Sequence, residues 1–574
     1  MTLRGFSVRG AARSFVVLGG LATQACNLGA GYADFGKDLA KPEEAVIDGP
    51  GTKIADLRLS GMLVDPWGDD GAVVVGFRYM DDGPHLYLQP FDGSAGCDAG
   101  LAYRCIVFNR IEGQPQLIAY LSDVQSTQRG TLNFVDHHCK IQYGGIADAE
   151  LPSRLFDFPP GVVVATGDEL LDIDPFAKTT RSMTKNLRFW SGPGQTGQTL
   201  PHYYVGDGQL VVFDDQRQEL IRRGKDVTEV VFESSNQNAG VFLVDQGSLV
   251  RYVSTDNVPP ETIDDNACSA KLGSYGVSYF SPCADRKLVI RDLDTSSKVA
   301  IDTGVNRLLY AEKRPAASGT GVDQFALYTK PSADDPSFED LWRKEPGKDP
   351  VLWLKRLGQF ISGTSSPKVT AVVDSDGVFG RLVSADSNGE TTLLDQVVLD
   401  YGVDALTDSW LAMTNWHDIS GSVVLVDSQG TSTTIAEGVT LNSKIVAPMV
   451  DPYLDGVSDK DYYGLGAFVS NYNTGYGDLV IMTRAKPTTL AQVGHKVRVA
   501  NFEFFRNMAA LAFLDEFDDK AGTGRLVVHQ TTLNADSVVS SNVVDFTELL
   551  WPYEGVIYTA KKDGKYSLWA ARAK

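Results

Sequence analysis

The chain is 574 residues long, 43% apolar and 22% charged, with a formal net charge of −21. A field this negative, with no cluster of Lys or Arg to offset it, opposes a phosphate backbone or an anionic membrane surface and argues against nucleic acid as a partner. The composition is that of a large globular protein, and no stretch reaches the ~18 apolar residues of a membrane-spanning helix.

The N-terminus is the most specific segment. Arg4, Arg9 and Arg13 precede a short apolar run from Phe15 to Ala22, and small residues follow up to Ala25. This three-part layout reads as a secretory signal over residues 1–25. Ala25-Cys26 resembles the lipobox of bacterial lipoproteins, although Thr23 and Gln24 depart from its usual residues. The resemblance implies a lipid on Cys26, with residues 26–50 as a flexible tether and 51–574 as the folded part. The expected location is the periplasm, outer membrane or cell surface, where disulfides are permitted. Cys268 and Cys283 flank Tyr275 to Pro282 and read as the closure of a hairpin. Among Cys97, Cys105 and Cys139 only two can pair, and which two is open.

Strand signals then dominate. Runs such as 72–77, 209–213 and 422–426 are short, rich in Val and bounded by Gly or Asp. The turn pairs Asp82-Gly83, Asp92-Gly93, Asp376-Gly377, Asn388-Gly389, Asp455-Gly456 and Asp563-Gly564 suit tight hairpins because their residues tolerate positive φ. One short helix is expected over 337–344, in a charged stretch rich in Asp and Pro.

A repeat joins these strands. Residues 206–232 align with 284–310 without a gap: Leu210 falls on Leu288, Asp214 on Asp292 and Val227 on Val305. Val424 to Asp427 follows the same scheme, and Asp386 and Gln530 close weaker copies. If the interval from Asp386 to Asp427 is one unit, the longer intervals between aligned positions hold two units each. Each unit reads as a sheet too small to hide both faces, which stacking around an axis resolves. Ile557 to Trp569 (IYTAKKDGKYSLW) and Phe77 to Leu88 (FRYMDDGPHLYL) resemble the hairpins of TolB-like, WD40-like bacterial propellers. The expectation is an all-β propeller of four-stranded blades. Seven or eight blades with large insertions are preferred over two propellers.

Chemistry-bearing motifs are sparse. Gly192 to Gly197 spells G-x-G-x-x-G, but no βαβ unit surrounds it. His137-His138-Cys139 is the one compact group of soft ligands; on a strand only His137 and Cys139 would share a face. Asp374-Ser375-Asp376-Gly377 resembles half a calcium loop, and Asp451, Asp455, Asp459 and Asp461 crowd another, yet neither has the distal Glu that calcium loops use. No cofactor is expected, with calcium the one metal to watch. Tyr462, Tyr463, Tyr472 and Tyr476 cluster in an irregular segment and are the candidate binding residues, since exposed aromatics suit a sugar face or a protein hot spot. The functional expectation is a non-catalytic binding or scaffolding module of the bacterial envelope that recognises a protein or a glycan. The alternative is an extracytoplasmic propeller hydrolase or lyase acting on a polysaccharide, with calcium assisting.

Overall fold

The computed structural model describes the backbone of residues 26–28, residue 47 and residues 49–572, except 67–70, 109, 125–128, 153–154, 158, 192–201, 234–239, 253–258, 316–321, 363–367, 388, 406–408, 442–444, 447–464, 474, 484–485, 499–501, 506–509, 531–534 and 550–554. Among the described residues every long element is a strand. The strands form six separate four-stranded sheets and three larger ones. Each larger sheet contains two four-stranded units that share one long strand, Ile141–Ala149, Val351–Ser362 or Ala535–Leu549, and the first of them also takes on the short strand Cys26–Leu28. The described residues therefore make twelve units, numbered here 1 to 12 in chain order.

The shared strands bend where one unit hands over to the next. A non-glycine residue with positive φ sits within each: Asp148 (52°), Arg356 (50°) and Asn542 (60°). A left-handed residue inside a strand breaks the ladder and re-aims the chain, which is how a bulge turns a corner. In Ala535–Leu549, residues up to Val543 pair with Thr523–Gln530, and residues from Val543 onward pair with Gly555–Lys562.

Within a unit the middle strands are the buried ones. Val162–Thr166 is buried for four of its five residues, whereas the outer strand Thr179–Thr184 is mostly exposed. Polar and apolar residues alternate poorly in the middle strands because both faces are covered by neighbouring sheets. The core is accordingly divided. Twelve apolar clusters each lie between two units consecutive in the chain. One of them joins the end of the chain to its beginning, packing Leu549, Ile557, Leu568 and Ala570 of unit 12 on Leu59, Met62, Val64 and Val74 of unit 1. The sheets thus follow one another in a single closed circuit, as blades of a propeller.

The closure has a second component. Thr52–Ala55 adds to the edge of unit 12, antiparallel to Lys565–Arg572, before the chain enters unit 1. Tyr558 Oη donates to Pro50 O at 2.6 Å and Thr559 Oγ1 to Leu59 O at 3.4 Å across the same join. A strand from the chain start completing the last sheet satisfies an edge that would otherwise expose unpaired backbone.

The four-stranded unit and the all-β class are as expected, but twelve units exceed the four to eight of common propellers. The surplus length that suggested insertions is made of whole sheets. The repeat itself is real: Asp214, Asp292 and Asp427 all occupy the turn between the third and fourth strands of their units. Their carboxylates accept backbone N–H groups from Gln218 (2.8 Å), Asp294 (2.7 Å) and Gln429 (2.8 Å) respectively. The expected helix over 337–344 is instead the strand Glu339–Lys344, paired on both sides. Just ahead of it, Asp335 Oδ1 accepts Ser337 N–H at 3.0 Å, closing a turn that leads into the strand.

Candidate functional site

The junction between unit 12 and unit 1 opens into a cleft of about 970 Å³. Its walls come from three short pieces of chain. The connection after the closing strand supplies Asp56, Leu57, Arg58 and Ser60. Unit 1 supplies Phe77, Arg78 and Tyr79 from the strand Val73–Met80, which is buried over its first five residues and exposed over its last three. Unit 12 supplies Lys565 and Tyr566, just past the Asp563-Gly564 turn. The two hairpins that resemble propeller repeats in sequence, 77–88 and 557–569, therefore flank this cleft.

Its electrostatics differ from the rest of the molecule. Many arginines elsewhere are held by carboxylates, such as Arg217 to Asp172, Arg251 to Glu233 at 2.5 Å and Arg381 to Glu390 at 2.6 Å. Arg58, Arg78 and Lys565 are exposed, and among the described residues no carboxylate pairs with any of them. Asp56, the one acid in the lining, is bridged to Lys53. The Arg58 guanidinium lies 5.3 Å over the Tyr566 ring and that of Arg78 lies 5.5 Å over Tyr87. Tyr79 is 55% exposed, unusually open for a large aromatic side chain. Close by, on Ala535–Leu549, burial pushes the Asp545 carboxyl up to about 6, against the opposing pull of the Phe546 N–H and the Arg58 charge.

The far side of unit 1 is sealed. Cys97 of unit 1 is bonded to Cys139 of unit 2, with Cα atoms 5.9 Å apart. Beneath that bridge the fully buried Asp65 accepts from His137 Nε2 at 2.8 Å, while His137 Nδ1 is buried with no hydrogen-bond partner. A smaller pocket of about 200 Å³, lined by Ser94, Cys97, His137 and His138 among others, lies here. Residues 136–140 form a turn, closed by Cys139 N–H on Asp136 O at 3.0 Å, so the strand expected for His137 to Cys139 is absent and Cys139 belongs to a disulfide.

The other sequence candidates are placed as follows. Cys268 and Cys283 form the expected disulfide, with Cα atoms 5.6 Å apart. Cys26 opens a three-residue strand parallel to Arg104–Val107, in register with Cys105. Tyr472 and Tyr476 lie on the paired strands Leu465–Asn473 and Tyr476–Thr483. Tyr476 stacks on Phe517 at 6.1 Å, beneath Lys496, and so packs between units 10 and 11. Tyr462 and Tyr463 lie outside the described residues, as do Gly192 to Gly197 and the loop of Asp451 to Asp461. Asp374 is paired with Arg381 at 2.8 Å, and Asp376 accepts the N–H groups of Val378 and Phe379. Asp374 to Gly377 is thus a turn whose oxygens are in use, and no group of three metal-ligating side chains occurs among the described residues.

Sequence reasoning missed Arg58, Arg78, Tyr79 and Lys565. Two of the pieces that carry them were visible as propeller hairpins, but that their charges are unpaired follows only from the fold.

No protein-family model matches the chain, and no curated protein matches it. Solved structures similar to it include a eukaryotic initiation factor, at 11% identity over 71% of this chain and 92% of that one, with a TM-score of 0.29. Another is PorZ, a surface component of the type-IX secretion system of Porphyromonas gingivalis, at 10% identity over 91% of this chain and 80% of that one, TM-score 0.20. A third is the dihydro-heme d1 dehydrogenase NirN, at 12% identity over 57% of this chain and 76% of that one, TM-score 0.28. Likenesses this distant carry no functional argument; the architecture rests on the sheets and their packing.

Proposed function

We propose that the protein is an exported, non-catalytic binding module of the bacterial cell envelope that takes its partner at the junction of units 12 and 1. The observation that carries this reading is the convergence of Arg58, Arg78 and Lys565, unpaired, on one aromatic-lined cleft of a strongly acidic chain. Unpaired cations contribute little to a fold from the surface, whereas a concave site with a few polar groups beside aromatic faces is what ligand recognition uses. The export signature at the N-terminus and the two disulfides suit an oxidising compartment outside the cytoplasm. A photo-crosslinking side chain placed at Tyr79 tests the reading in living cells. It should yield one dominant adduct, and the same probe at the exposed Ile419, on unit 9, should not. Equal labelling at both positions, or none at either, overturns the proposal.

Retention in the envelope rests on Cys26, the residue that would carry the lipid. A specific observation favours a second use of that residue. Its backbone is in register with Cys105, which is buried, and none of the described cysteines is a free thiol. A thioether to lipid and a Cys26–Cys105 disulfide are exclusive uses of one sulfur. Non-reducing peptide mapping separates them: a linked 26–105 peptide ends the lipid reading, and an acylated N-terminal peptide establishes it.

A further inference from the structure

The cleft at the closure has a charge, an aromatic lining and a size that together select one class of partner. Taking the cleft as the partner site, as argued above, we propose that its ligand is a glycan bearing uronic acids, with ring carboxylates held by Arg58, Arg78 and Lys565 and sugar faces laid on Tyr79 and Tyr566.

Charge density excludes the denser polyanions. The chain carries −21 overall, so a duplex phosphate backbone, with a charge per ~1.7 Å, would be repelled by the surface on either side of the cleft. Three cations in a single opening match a polymer whose carboxylates are spaced by neutral atoms. The aromatic lining then separates a sugar from an acidic peptide. A pyranose presents flat C–H faces that stack on an aromatic ring, and in a uronic acid the carboxylate is bonded directly to that ring. A site for it must therefore set a cation beside an aromatic face, and Arg58, 5.3 Å over the Tyr566 ring, does so. Tyr79, 55% exposed, lines the same cleft from the strand that carries Arg78, whose guanidinium lies over Tyr87. A glutamate side chain carries its charge on a flexible stem and gains nothing from the rings. The cleft of about 970 Å³ lies at the upper end of small-ligand sites, with room for several linked sugars.

The test is calorimetric titration of the full-length mature protein with oligogalacturonate, a neutral malto-oligosaccharide of equal length and poly-L-glutamate. Oligogalacturonate should bind, and the neutral oligomer at least about tenfold more weakly. The double variant Arg58→Ala, Arg78→Ala should lose about tenfold or more, and Tyr79→Ala a smaller factor, with unchanged melting temperatures. Equal binding of the neutral oligomer, or no binding of oligogalacturonate, overturns the inference. Poly-L-glutamate bound as tightly and lost in the double variant also overturns it, while leaving the cleft as the partner site. Failure of the Tyr79 photo-probe would instead remove the cleft itself.

Discussion

Unit 1 meets its two neighbours in opposite ways. Toward unit 2 it is tied by the Cys97–Cys139 disulfide and by Asp65 against His137, both groups nine-tenths or more buried. Toward unit 12 it is joined by an apolar cluster and an added edge strand, with charged side chains standing unpaired above the join. Both junctions use the same sheet-on-sheet packing. The difference lies in where the polar groups are spent: inside one junction they meet each other, and over the other they face solvent. Polar groups that meet inside a fold hold it, and those left open are available to a partner.

Three substitutions sharpen this contrast. The largest effect is expected at the sealed junction. Asp65→Ala leaves the buried His137 Nε2 without its acceptor and should cost about 2–4 kcal/mol, read as a fall in the denaturation midpoint. A smaller effect of opposite sign is expected beside the open one. Burial raises the Asp545 carboxyl to about 6 in the folded protein, above its ordinary value of 3.8. Between those values the folded state holds more protons than the unfolded state, so its contribution to stability falls as pH rises. Asp545→Asn removes that loss. It should leave stability unchanged near pH 4 and raise it by on the order of 1–2 kcal/mol near pH 7.5, seen by chemical denaturation at both values. The smallest effect is expected from Arg78→Ala, within about 0.5 kcal/mol of the parent, because no carboxylate loses a partner. A large destabilisation there would mean that the cleft's cations serve the fold after all.

The local scheme was legible from sequence and the global count was not. Leu210 and Leu288 are buried alike, and Val227 and Val305 are fully buried, as their alignment implies. The interval from Asp214 to Asp292 spans two units and that from Asp386 to Asp427 spans one, so the spacing carried the right arithmetic. The preference for seven or eight blades arose from assigning the surplus to loops, and nothing local distinguishes a degenerate sheet from an insertion. Asp65 and His137 are 72 residues apart, and no local pattern links them. The cleft was hidden for a related reason: Arg58, Arg78 and Lys565 are ordinary surface residues until the chain ends meet.

That meeting of the ends is the premise of the whole account, and electron microscopy of the purified protein tests it most directly. Averages viewed down the axis should show one unbroken circuit of twelve four-stranded units, with that of 543–572 completed by 52–55 and seated against that of 60–101. Two separate discs, or a gap between those sheets, would contradict it.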